Sequence, residues 1–194
     1  MKELIIEKAS LQVYEFLNRN VKLDDPATLL VATTSGFNVV SQKGNYNTII
    51  NLSKVNNIRY INKFFNQVNA GLKNEDRFIC CFETIIARKE GNKLGNLPVI
   101  GNFFFTFEFV FLRVFPKIWG LKKIYFAITK GRDRLLSRAE VLGRLVSCGF
   151  EIISYDSFDG LNYVVCKKIK EPDVNPNVSY GPIFKMQRMG KTER

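Results

Sequence analysis

The residues Leu97–Ile128 (LPVIGNFFFTFEFVFLRVFPKIWGLKKIYFAI) constrain this chain more than any other stretch. Between Phe103 and Phe115 seven of thirteen positions are Phe, and only Thr106, Glu108 and Arg113 interrupt the apolar surface. Large aromatics bury much area each, so such a run either packs inside a fold or forms a surface that meets something else. It is too short to span a bilayer. A helix of that length reaches about 20 Å against a hydrocarbon core of roughly 30 Å, and Pro98 and Pro116 bracket it. Arg113, Lys117, Lys122 and Lys123 crowd its C-terminal end, and an aromatic face flanked by cations suits a helix lying in a membrane interface. Two readings stay open: monotopic membrane contact through Phe103, Phe107, Phe111, Arg113, Lys117, Trp119, Lys122 and Lys123, or burial against the rest of the domain.

On either side of this stretch the pattern is α/β. Residues 3–19 carry apolar side chains at roughly helical spacing and predict a first helix, which Asp24-Asp25-Pro26 ends. Thr28–Thr33, Thr48–Leu52 and Arg77–Thr84 are short, almost uniformly apolar runs that read as buried strands. Between the second and third, Ile58, Ile61, Phe65, Val68 and Leu72 form one helical stripe, with Asn56-Asn57 placed to cap it. Strand, helix, strand in that order indicates a parallel sheet covered by helices, and the Phe-rich stretch is an insertion into it. Lys123–Ile128 fits either a further strand or the end of the insertion. Ser137-Arg-Ala-Glu140 has capping-box spacing ahead of a helix that Gly149 stops, and Glu151–Tyr155 and Leu161–Lys167 form a closing hairpin. After Lys170 comes a polar, Pro-punctuated linker.

Lys and Arg exceed Asp and Glu by eleven, and the excess is uneven. From Arg113 to Arg144 nine basic residues face only Asp133 and Glu140. Such asymmetry points to an anionic partner or to a solvated basic face. Cys80, Cys81, Cys148 and Cys166 lack metal-site spacing and there is no His, so the cysteines read as small hydrophobes in a reducing compartment. Glu3, Glu7 and Lys8 interrupt the N-terminus where a secretion signal needs an apolar core. Three sets of polar residues remain as candidates for chemistry. Glu83-Thr84 ends a strand, where α/β sites form. Asp156 and Asp159 sit in a predicted turn. Lys130-Gly-Arg-Asp-Arg134 reads equally as a phosphate-holding loop and as a solvated loop entering a helix.

The helix followed by Cys148-Gly-Phe-Glu-Ile-Ile-Ser154 and the hairpin, downstream of strand–helix–strand, resembles the second half of class I S-adenosylmethionine-dependent methyltransferases over roughly residues 46–168. That family binds its cofactor on a Gly-rich turn after the first strand, with an acidic residue ending the second. Here the turn reads Thr33-Thr-Ser-Gly-Phe-Asn38 and no acidic residue ends Thr48–Leu52. The expectation is therefore a Rossmann-like, incomplete methyltransferase-like sheet with a Phe-rich helical insertion and a C-terminal hairpin, without methyl transfer. Ser179–Lys191 (SYGPIFKMQRMGK) resembles the opening motif of bacterial polyprenyl-phosphate sugar-1-phosphate transferases, through Gly181-Pro182, Ile183-Phe184, Lys185, Gln187, Arg188 and Gly190-Lys191. Residues 50–69 and 136–153 also resemble the domain preceding that motif in transferases of the Bacteroides and Flavobacterium type.

The transferase resemblance implies sugar-phosphate transfer from a nucleotide sugar to polyprenyl phosphate at the cytoplasmic face of the inner membrane, with Lys185, Arg188 and Lys191 as phosphate contacts. The family's catalytic acidic pair lies downstream of the motif, past Arg194. Residues 1–170 are then expected to be an accessory domain, and 171–194 a linker with the truncated start of a transferase whose catalytic part is missing or separate. Mg2+ would accompany only that catalytic part, and this chain is expected to carry no cofactor. An anionic membrane surface is the expected partner, reached peripherally from the cytoplasm. A divergent methyltransferase is the alternative, and a nucleic-acid binder, supported only by charge, ranks last.

Overall fold

A computed structural model describes residues 1–41, 45–91, 98–115 and 118–172. Its sheet is five strands, β1 (Thr28–Val31), β2 (Thr48–Lys54), β3 (Arg77–Glu83), β4 (Phe150–Phe158) and β5 (Leu161–Lys168), in the order β1-β2-β3-β5-β4. The first three run parallel, and the β4–β5 hairpin joins antiparallel with β5 against β3. Parallel strands must be covered on both faces, and alternation along β3 shows how this is done. Phe78, Cys80 and Phe82 enter one core with α4 (Ile61–Ala70) and α8 (Arg138–Ser147). Ile79 and Cys81 enter a second core with α1 (Lys2–Lys8) and α2 (Leu11–Asn20). The fold is thus α/β and compatible with a Rossmann-like architecture.

Several local expectations hold. Ser137 caps α8 by accepting the Glu140 amide at 3.2 Å. The hairpin turns on Asp159-Gly160, both at positive φ (50° and 76°), the geometry that a two-residue turn between twisted strands requires. Gly149 follows α8 at φ 87°, and a Cβ there would collide with the Lys170 carbonyl. All four cysteines are buried and unpaired. Burial pushes the Cys81 thiol up to about 12 and Cys148 to about 11, so both pack as apolar groups.

Two expectations need correction, and one open alternative is resolved. The single helix over 3–19 is two, because Ser10 adopts extended backbone and accepts the Val13 amide, starting α2 afresh. Asn56 and Asn57 do not cap α4, whose N-cap is Tyr60 without a side-chain bond; they lie in a 3-10 turn, Val55–Asn57, and bond to distant segments. Lys123–Ile128 is no strand but part of α7 (Leu121–Thr129).

The Phe-rich insertion follows two short helices, α3 (Gly36–Val40) after β1 and α5 (Ile85–Glu90) after β3. It forms α6 (Pro98–Phe109) and continues into a π-helical turn, Val110–Val114. Looser winding there brings residues four apart closer to one line, and the rings of Phe107, Phe111 and Phe115 follow one another at 6.4 and 5.3 Å. Together α6, the π turn and α7 make a helical hairpin with a small core of its own: Leu112, Tyr125 and Leu135, flanked by Ile85, Phe109, Phe111, Phe115 and Phe126.

Candidate functional site

In an open α/β sheet the place to look for chemistry is the carboxyl end of the parallel strands. Here that edge is closed by the chain itself. Beyond β1, the buried Asn51 side chain accepts the Thr33 amide at 3.0 Å and donates to the Thr33 carbonyl at 2.9 Å, pinning the loop down. At the end of β3 the buried Asn56 side chain accepts the Glu83 amide (2.8 Å) and donates to the Glu83 and Arg134 carbonyls (2.9 and 2.7 Å). The Thr84 hydroxyl accepts the Ala87 amide and caps α5, while the backbone of Ile85 bonds to Leu136. Buried amides with this many partners are structural pegs, since leaving any partner unmet is costly. Two shallow hollows of about 500 and 370 Å³ lie elsewhere, lined by Asn18 and Val21–Asp25 and by Tyr14, Glu15, Asn18 and Arg19. Among the described residues no group of three His, Cys, Asp or Glu side chains is placed to hold a metal.

The remaining polar candidates have local partners too. Glu83 is an ion-pair link, 3.6 Å from Lys54 and 3.4 Å from Arg88. Arg88 reaches on to Glu108 of α6 at 2.6 Å, so this chain of charges ties the insertion to the sheet. A second strut joins Arg113 of the π turn to Glu140 (3.2 Å) and the Leu135 carbonyl (3.0 Å), and Arg144 completes it at 3.0 Å. Burial raises the Glu140 carboxyl, but the hydrogen bond and charge of Arg144 and the charges of Arg113 and Arg134 outweigh it and hold the group below its usual range. Asp156 bonds the adjacent Ser157 amide, and Asp159 shapes the hairpin turn. In the loop after α7 every amide from Lys130 to Arg134 is already bonded, to Phe126, Thr129, Asn57 and Asn56. No backbone cradle for phosphate exists there.

The insertion is divided between core and surface. Phe103 is 77% exposed, Phe107 63% and Trp119 88%. Phe103 and Phe107 are one helical turn apart, and Lys123 beyond Trp119 is exposed as well. Phe111 and Arg113, expected on the same outward face, are half-buried instead. The Phe111 ring lies 5.8 Å from Tyr125, and Arg113 is consumed by Glu140. The π turn rotates these positions inward. Lys117 lies outside the described residues, as do Lys185, Arg188 and Lys191, and of Lys122 only the backbone, in α7, is described. The sequence reading missed Ile118, Ile124 and Ile128, all exposed. The spacing of Ile124 and Ile128, one turn apart on α7, was the available signal, hidden while the segment also fitted a strand. Between Pro98 and Arg132 the single carboxylate is Glu108, which is turned onto Arg88. The exposed side chains Phe103, Phe107, Trp119, Ile124 and Ile128 are thus accompanied by Lys123 and by no exposed carboxylate.

No family model, curated protein or solved structure matches this chain. Among the described residues no helix is long and apolar enough to cross a membrane.

Proposed function

We propose that this chain is a non-catalytic accessory module of sugar-phosphate transfer, an α/β body that docks peripherally on the anionic cytoplasmic face of the inner membrane through its aromatic hairpin. The observation that carries the reading is the acid-free outward stripe of Phe103, Phe107, Trp119, Ile124 and Ile128, with Lys123 beside it and Glu108 turned inward. Each large apolar side chain moved out of water gains about 1.5–3 kcal/mol, and each cation near an anionic surface adds about 1 kcal/mol. An exposed Trp, here Trp119, suits a lipid interface. The self-bonded carboxyl edge of the sheet supports a scaffold in place of a catalyst. Polyprenyl phosphate and nucleotide sugar would then be handled by a separate transferase domain, consistent with the motif resemblance at Gly181–Lys191.

Sedimentation with phosphatidylglycerol vesicles tests docking. Binding is expected at low salt and should weaken as screening rises. No sedimentation at low salt would remove the reading. Incubation with nucleotide sugars and polyprenyl phosphate should give no turnover, and turnover by this chain alone would contradict the accessory role.

The hairpin that closes the parallel sheet favours a second reading, a divergent methyltransferase. Calorimetry with millimolar S-adenosylmethionine separates the two, and the accessory reading expects no binding heat.

A further inference from the structure

The root of the aromatic hairpin carries a positive charge that the described residues do not balance. Arg113 and Arg144 share one carboxylate, Glu140. Arg134 is half-buried beside them and has no carboxylate within ion-pair distance among the described residues; its one side-chain bond is a 3.4 Å contact to the Arg59 carbonyl. The Arg59 guanidinium stacks on Phe126 (4.6 Å) and Tyr60 (5.1 Å), and its stem packs against Gly131. Arg132 is exposed two residues before Arg134, with the exposed Asp133 between the two in sequence. A guanidinium taken part-way out of water is costly when the one carboxylate in its field, Glu140, is already shared by Arg113 and Arg144. Burial first, and the charge of Arg144 second, pull the Arg134 guanidinium below its ordinary range. The fully buried Tyr125 hydroxyl finds no hydrogen-bond partner among the described residues, and burial raises its pKa despite the opposing charges of Arg134 and Arg88.

We infer that Arg134, flanked by Arg59 and Arg132, binds a phosphate group at the base of the hairpin. The planar fork of a guanidinium matches phosphate oxygens in pairs, and stacking on Phe126 holds the Arg59 fork in place without consuming its donors. The backbone of the loop is already bonded, so side chains supply every donor. The site does not depend on hairpin docking, because Arg134 is anchored through its own backbone to Asn56 on the sheet side. The ligand is defined by chemistry: a phosphate carried on a lipid headgroup or free in solution.

The test uses the full chain at low salt and follows the arginine Nε–Hε signals by NMR during titration with inorganic phosphate. Saturable shifts are expected for Arg59, Arg132 and Arg134. Arg134→Gln should weaken binding on the order of tenfold, the size of one charge-assisted bond. Arg132→Gln, at an exposed side chain that bonds to nothing among the described residues, gives a smaller loss and guards against misfolding as the cause. Arg138→Gln, on α8 and stacked on Tyr155, should leave the titration unchanged. A second arm compares vesicles of phosphatidic acid and phosphatidylglycerol at matched surface charge. A preference for the phosphomonoester that Arg134→Gln removes identifies a lipid headgroup; saturation by inorganic phosphate without that preference identifies a soluble phosphate. Shifts that never saturate, or that are identical in Arg134→Gln and Arg138→Gln, overturn the site. Loss of vesicle binding in hairpin variants that still titrate with phosphate would touch the docking proposal alone.

Discussion

Phe78 and Phe103 are the same side chain in two regions with opposite duties. Phe78 is fully buried in β3, with ring neighbours Phe64, Phe65 and Phe150 at 6.4, 6.0 and 5.7 Å. Phe103 stands on α6 with most of its surface in water. The sheet region spends its aromatics on packing between layers. The hairpin keeps a small core around Leu112 and Tyr125 and leaves Phe103, Phe107, Trp119, Ile124 and Ile128 exposed. Hydrophobicity alone does not separate the two regions; what differs is whether the fold supplies a partner. A large exposed apolar surface is a cost to solubility unless something covers it, and the proposed cover is an anionic lipid surface.

The comparison breaks most visibly at Phe78. Phe78→Ala should cost about 3–5 kcal/mol in chemical denaturation, whereas Phe103→Ala should stay within about 0.5 kcal/mol. Equal losses would mean that the hairpin stripe is packed after all. The pegs come next. Asn56→Ala leaves the Glu83 amide and the Glu83 and Arg134 carbonyls without their side-chain partner, and a loss of about 2–3 kcal/mol is expected in the same assay. A loss below about 1 kcal/mol would show that the carboxyl edge is looser than its bonds imply and would reopen it as a site.

The strut between hairpin and body sharpens the comparison through pH. Glu140 is held below the usual carboxylate range, so its contribution is fully present above its unfolded value, near pH 4, and is lost as pH falls through the lowered folded value. Acidification should therefore loosen the hairpin. Glu140→Gln should remove that acid-sensitive component and cost about 1–2 kcal/mol at neutral pH, discounted for its partial exposure. Aromatic circular dichroism followed down to pH 2 checks both, and an acid transition unchanged in Glu140→Gln would assign it elsewhere. The smallest effect on stability belongs to Trp119→Ser, within about 0.5 kcal/mol, yet this substitution should weaken vesicle binding severalfold in sedimentation.

The sheet was legible because its signals are local and repeated. The runs at Thr28, Thr48 and Arg77 have no polar interruption that a two-face-buried strand would reject, and Ser137 and Asp159-Gly160 sit where caps and primed turns demand them. Asn56 misled because an Asn ahead of an apolar helix stripe looks like a cap, while its real partners, Glu83 and Arg134, lie 27 and 78 residues away. Arg113 misled for a related reason. Spacing placed it with the outward cations, but the π turn and the distant Glu140 draw it inward. Of the candidate surface, Phe103, Phe107, Trp119 and Lys123 were readable as a cation-flanked aromatic run; Ile124 and Ile128 were not, since a segment that fits both strand and helix conceals its stripe.

Entry of the exposed Trp119 region into a lipid interface, as proposed, has a built-in reporter, because Trp119 is the only tryptophan. Its emission should lie near that of a solvated indole in buffer. On addition of phosphatidylglycerol vesicles at low salt it should shift to the blue, and lipids brominated near the headgroup should quench it. Emission that stays at the solvated position while the protein sediments with the vesicles would contradict the account.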